Sequence, residues 1–294
     1  LQQAGAEHLL VMQTTPQLLH LEAREFFERM LIARLQIAGL VEGQDFRFGR
    51  QRLGDVQLLE HLCGEYGRHL QIVPPLLHDG LPISSSRVRQ ALEEGKVELA
   101  RDLLGRPYAV TGRVRVGARR GQTLGFPTAN LTDVETVLPA DGVYAVWVRG
   151  LRWSEQAAEM VPSAVVVHPT EADTSAAVTT PEEKTVSSVQ ELGHSVRKSS
   201  QLSYWVGEEI LASDSPWLGA AHIGPNPTFG EQQRKIEVHL LNFVGNLYGQ
   251  RLRLEFLARI RGTQRFASTT ELIDQLRRDV AMVHQIGRQE RGHG

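Results

Sequence analysis

Cysteine is nearly absent: Cys63 is the one thiol in 294 residues. A single cysteine excludes an intramolecular disulfide framework and any multi-cysteine zinc site, and it suits a reducing compartment. Its simplest role is that of a small buried apolar side chain. No apolar run approaches the length needed to cross a bilayer, and the first residues lack the basic and apolar regions of a signal peptide. A cytoplasmic protein with no membrane contact is therefore expected. Charge of one sign is also lacking, since 32 Lys and Arg stand against 34 Asp and Glu for a formal net charge of −2. That balance gives no whole-molecule attraction to nucleic acid, so anion binding must be local and fits a small charged ligand better than a polymer. Neither G-x-x-x-x-G-K-[ST] nor G-x-G-x-x-G occurs, which excludes two common phosphate-binding designs.

What is there falls into two parts. Up to about residue 106, short apolar runs alternate with helical patterns. "HLLVM" (His8 to Met12) and "HLQIVPP" (His69 to Pro75) look like strands, while Phe26, Met30 and Leu31 recur at helical spacing. A helix around Val56 to Tyr66 and two short ones, Ser86 to Glu94 and Val97 to Leu104, complete an α/β pattern with a parallel sheet. Gly105 to Pro107 marks a boundary. Beyond it the period changes to two in "YAVTGRVRVG", "GVYAVWVRG", "WLGAAHIG", "RKIEVHLLNF" and "RLRLEFLARI", as in an antiparallel barrel or sandwich. The chain closes on a helix begun by a capping box, Ser268 with Glu271, whose stripe of Leu272, Ile273, Leu276, Val280 and Val283 is expected to pack on that barrel. Between Trp153 and Pro216 the composition turns to Ser, Thr and Glu, which predicts a disordered insertion in a barrel loop with one extra strand at Ser163 to His168.

Chemistry concentrates in "GARRGQTLGFPTAN", residues 117 to 130. Gly117, Gly121 and Gly125 permit turns that side chains would block, and Arg119 and Arg120 bring fixed positive charge to the same loop. This is either a hairpin connection or a flap whose N–H groups and arginines close over phosphates. Thr128 and Asn130 stand two apart in an extended segment, so their oxygens project to one side. Alone, a T-x-N pair is more often a turn; behind this loop, it suits Mg²⁺ that draws its negative ligands from nucleotide phosphates. Glu237 is the one carboxylate in the apolar strand "RKIEVHLL" and is a candidate general base, although exposed strand glutamates are usually just solvated. His239 beside it is read as surface or satisfied core. In "ISSSRVR", Ser84, Ser85 and Ser86 open a helix as caps or as a phosphate site with Arg87 or Arg89. "GQDFRFG" is a loop after a strand, where α/β proteins bind ligands and where plain turns also occur.

The succession "GQDFRFG", "ISSSRVRQALEEGKVELARDLLGRPYAVTGRV", "GFPTAN", "LPADGVYAV", "IGPNPTFG", "IEVHLLNF" and "LYGQRL" resembles the bacterial bifunctional riboflavin kinase and FMN adenylyltransferase, or FAD synthetase, family. The resemblance implies a Rossmann-like nucleotidyltransferase part over residues 1–106, truncated here, and a riboflavin kinase part over residues 107–290. The latter would be a six-stranded antiparallel β-barrel with a C-terminal helix, interrupted by the insertion at about 154–216. It implies transfer of the ATP γ-phosphoryl group to the 5′-hydroxyl of riboflavin to give FMN. Thr128 and Asn130 would hold Mg²⁺ and phosphate, Glu237 would be the base, and Gly117 to Gly125 would be the flap over ATP. The three side chains are expected to meet at one pocket inside the barrel. Small molecules are the expected partners. In the adenylyltransferase part the resemblance assigns substrate binding to Asp45, Phe46, Ser84, Ser85, Ser86 and Arg89. The family's H-x-G-H motif is missing, and the chain opens on Leu1, so a preceding segment is expected and this chain as given is expected to be a poor adenylyltransferase.

Overall fold

The structure is a computed structural model that describes residues 5–117, 120–153, 165–167, 208–210, 216–230 and 232–292. Its contacts divide into two units, Leu1–Leu76 with Ala158–Val206 and Leu77–Ala157 with Gly207–Gly294. In chain order the first unit supplies β1 (Leu10–Met12), α1 (Pro16–His20), α2 (Ala23–Phe26), β2 (Gly39–Gly43), α3 (Val56–Glu65) and β3 (His69–Val73). The second opens with a small hairpin, β4 (Leu77–His78) and β5 (Leu81–Pro82), then α4 (Ser85–Glu93), α5 (Val97–Leu104), β6 (Ala109–Arg115), α6 (Arg120–Thr123), β7 (Ala129–Thr132) and β8 (Gly142–Trp153). After β9 (Val165–Val167), which belongs to the first unit, come β10 (Glu208–Ile210), β11 (Trp217–Gly224), β12 (Lys235–Leu240), β13 (Arg251–Arg261) and α7 (Thr269–Arg291).

In the first unit β2 and β3 pair in parallel, as the α/β pattern predicts. The helical spacing of Phe26, Met30 and Leu31 falls on α2 and on a π-helical stretch that follows it, Phe27–Arg34. Phe27, Leu59 and Leu62 are fully buried and Cys63 lies among them, so the thiol is the small core residue expected. Burial raises its pKa. The extra strand expected within a barrel loop forms as β9, but it pairs in parallel with β1, Leu10 opposite Val165, and so joins the first unit. The rest of the expected insertion over 154–216 lies outside the described residues, apart from β10 and Pro216.

Six strands of the second unit close into a barrel in the order β8, β11, β12, β7, β6, β13 and back to β8, every pair antiparallel. This is the six-stranded antiparallel barrel with a C-terminal helix that the resemblance implies. Twelve-residue β8 is long enough to pair with β11 on one edge and with β13 on the other, and β10 adds to its far end. Alternation sets the faces. Ala129, Leu131, Ala221, Ile223, Ile236 and Val238 point inward to a packed core, which places their even- or odd-numbered neighbours on the outer wall. Ala91, Leu92, Val97 and Ala100 of α4 and α5 join that core. The packing boundary therefore falls at Leu76, whereas the change of periodicity falls at Pro107. On the opposite outer face Val280, Val283 and Ile286 of α7 cover Ala145, Leu218, Leu241 and Leu257. Ser268 caps α7 as expected, accepting from Glu271 N at 3.2 Å, but the returning Glu271 carboxylate takes Ala267 N, one residue earlier than a standard capping box.

Candidate active site

One row of side chains crosses the outer wall of the barrel. Asn130 on β7 lies directly opposite Glu237 on β12, which opposes His222 on β11, which opposes Val143 on β8, which opposes Arg261 on β13. Directly paired residues on antiparallel strands project to the same face, their Cβ atoms about 5 Å apart. All five line a single cleft, together with Thr128. Open mouth included, its volume is about 1090 Å³. Positions 128, 130 and 237 thus line one cleft, as expected. The place differs, however: the inner face is filled by Ala129, Ile236, Val238 and their neighbours, so the site sits outside the barrel wall.

The cleft has two contrasting sides. The segment from Gly121 to Phe126 forms the polar-side rim, closed by Phe126 N donating to Gly121 O at 2.8 Å. A Cβ on Gly121 would collide with Phe126 O, and one on Gly117 would collide with the Asn130 carboxamide, so both glycines allow close approach to the T-x-N segment. Gly125 turns the chain at φ +84°. Arg119 lies outside the described residues; Arg120 begins α6. His239 lines the cleft, and its Nδ1 meets Pro127 O at 2.8 Å while its ring packs edge-on against Phe126 at 5.6 Å. It braces the loop and fits the satisfied reading. Asn226 Nδ2 donates to Glu237 Oε2 at 3.4 Å, orienting the carboxylate.

The far side is apolar and comes from α7 and the segment before it: Phe266, Leu272, Leu276 and Val280. Three residues of the expected helix stripe, Leu272, Leu276 and Val280, thus line the cleft as well. Arg261 grips Asp279 through Nε and Nη2, the shortest contact 2.7 Å, and Gln275 Nε2 adds 2.8 Å to Asp279 Oδ1. Asp279 is 2% exposed, so this pair ties α7 to the site's floor. The His222 ring is held below its usual pKa by burial first and by the Arg261 charge second, with Asp141 opposing. It is therefore neutral near pH 7.

The residues proposed for adenylyl transfer have local roles. Ser84 Oγ caps α4 by accepting from Arg87 N at 3.3 Å, Arg89 Nη2 donates to Ser85 Oγ at 2.9 Å, and Ser86 is exposed. Arg87 donates to Leu81 O and Pro82 O at 2.8 and 2.9 Å, closing the β4–β5 hairpin onto α4. In the first unit Phe46 stacks on Phe48 at 5.6 Å, and Asp45 is exposed.

A family model for riboflavin kinase matches residues 104–286, and one for FAD synthetase matches residues 1–87. The chain belongs to the riboflavin kinase family. With that, the bifunctional family read from the motifs and the enzyme class, an ATP-dependent phosphotransferase in flavin biosynthesis, both stand. The chain is 32% identical over 279 residues to the bifunctional riboflavin kinase/FMN adenylyltransferase of Escherichia coli (strain K12), an alignment covering 95% of this chain and 70% of that protein. With the enzyme of the same description from Pseudomonas fluorescens the identity is 31% over 278 residues, covering 94% and 70%. Among solved structures, a Streptococcus pneumoniae protein described as a macrolide-efflux protein superposes with a TM-score of 0.63 at 26% identity, over 92% of this chain and 67% of that one. Among the described residues, no helix is long and apolar enough to cross a membrane.

Sequence reasoning missed His222, Arg261, Thr263 and Asp279. Only Asp279 carried a legible signal, since it interrupts the α7 stripe at the spacing of Leu272, Leu276 and Val283.

Proposed function

We propose that the outer-wall cleft transfers the γ-phosphoryl group of ATP to the 5′-hydroxyl of riboflavin. The observation that carries this reading is the pairing of Glu237 with Asn130 across β12 and β7, with Thr128 on the same side of the strand. Glu237 takes the hydroxyl proton as the oxygen–phosphorus bond forms and the bond to the β-phosphate oxygen breaks, releasing ADP. Holding the reactants in line supplies much of the acceleration. Thr128 and Asn130 bind phosphate, and the main chain from Gly117 to Gly125 closes over ATP. The donor set also suits Mg²⁺. Thr128 and Asn130 offer neutral hard oxygens, so the anionic ligands would come from the phosphates of ATP. When bound, Mg²⁺ neutralises charge on the phosphate oxygens. The apolar side formed by Phe266, Leu272, Leu276 and Val280 receives the flavin ring. Asp45, Phe46, Ser84, Ser85, Ser86 and Arg89 are proposed to bind substrate for adenylyl transfer.

The test is FMN formation from riboflavin, ATP and Mg²⁺, followed by chromatography. Glu237→Gln is expected to lose about 10²- to 10⁴-fold in kcat while still binding riboflavin. A wild-type chain that binds riboflavin and forms no FMN would be a binding module, and the proposal would fail.

A further inference from the structure

Two buried polar atoms on the cleft wall have no protein partner among the described residues: Nδ1 of His222 and Oγ1 of Thr263. Folded proteins satisfy nearly all such groups, so two in one cleft mark a place where something else supplies the hydrogen bonds. They belong to one region of wall. His222 and Arg261 both oppose Val143, on its two sides, and Thr263 follows Arg261 by two residues. Gly224, two residues after His222, lies so near Thr263 that an added Cβ would come within 3.1 Å of its hydroxyl.

The chemistry of this pair selects a ligand group. A neutral imidazole offers one donor and one acceptor, and a threonine hydroxyl offers both. Neither carries charge, so the pair suits a hydroxyl, which also donates and accepts, and gives no advantage to a phosphate. Position narrows the choice. His222 lies one strand, about 5 Å, from Glu237. If the 5′-hydroxyl of the flavin side chain is at Glu237, the groups reaching His222 are the other hydroxyls of the same ribityl chain, before the apolar side takes the ring.

Building on the proposed phosphorylation, we propose that His222 and Thr263 are specificity residues that hydrogen-bond the internal ribityl hydroxyls, making the site select a polyol side chain over an alkyl one.

The probe is a flavin whose N10 substituent is 5-hydroxypentyl, which keeps the reacting hydroxyl and lacks the internal three. Wild type is expected to favour riboflavin over this analogue in kcat/KM. His222→Leu is expected to lose roughly tenfold to hundredfold with riboflavin and little with the analogue, compressing the preference. His222→Asn, which returns an amide near the Nδ1 position, restores part of the preference, and Thr263→Val compresses it less. Thermal melts check that each variant folds; should His222→Leu fail to fold, the comparison rests on His222→Asn and Thr263→Val. An unchanged preference in the folded variants overturns the proposal. Equilibrium binding of both flavins, followed by fluorescence quenching, separates this from the failure of phosphorylation. If wild type forms no FMN yet binds riboflavin more tightly than the analogue in a His222-dependent way, the specificity assignment holds and the kinase reading falls. Equal binding of the two flavins sinks the assignment.

Discussion

Gly117 and Asn130 show how closely single residues define this site. The space a Cβ would take at position 117 is occupied by the Asn130 carboxamide, so Gly117→Ala must push that side chain aside. We expect about a tenfold loss in kcat/KM for ATP with little change in melting temperature, because the displaced group is a movable side chain. Gly121→Ala meets the Phe126 carbonyl instead, part of the turn itself, and should cost activity and local stability together. His222 supplies a pH prediction. Its folded pKa lies below its unfolded value of about 6.5, so the unfolded chain binds more protons as pH falls. This contribution to stability is complete above the unfolded pKa and is lost as pH falls from there through the folded pKa. His222→Asn should remove it: urea unfolding at pH 7.5 and at pH 5 should show wild type losing more stability than the variant over that interval.

Among elements, α7 depends on one buried pair and one cap. Arg261 and Asp279 have side chains only 18% and 2% exposed, so solvent screens their contact weakly. Asp279→Ala leaves Arg261 without its partner and should cost about 3 to 5 kcal/mol in denaturant unfolding. Replacing both with apolar residues of similar volume should recover much of that. Loss of the pair should also raise KM for riboflavin, because α7 carries the apolar side of the cleft. Ser268→Ala removes the α7 cap at a cost of about 1 kcal/mol and should leave kcat unchanged.

At the scale of the whole molecule, every residue lining the cleft falls between 121 and 280, within the second unit. A chain beginning at Leu77 should therefore melt cooperatively and form FMN at close to the full rate. A chain beginning at Pro107 loses α4 and α5 and uncovers the barrel end that buries Leu92, Val97 and Ala100. Removing each large apolar side chain from that core costs about 1.5 to 3 kcal/mol, so this shorter chain should melt well below the longer one in calorimetry. The boundaries 1–106 and 107–290 remain a proposal about catalytic parts, and the two truncations test where folding divides.

The sequence by itself determined the local structure: the period-two strands of the barrel, the caps at Ser84 and Ser268, the αL end of α5 at Gly105 and the shared side of Thr128 and Asn130. These depend on interactions within a few residues, which periodicity and residue type express directly. Only the tertiary structure decided that Asn130, Glu237, His222, Val143 and Arg261 form one row, that the row faces outward, and that the Val165 strand pairs with β1. Strand partners and register are set by long-range burial and closure of the sheet, and no short stretch of sequence records which distant strand will lie beside it.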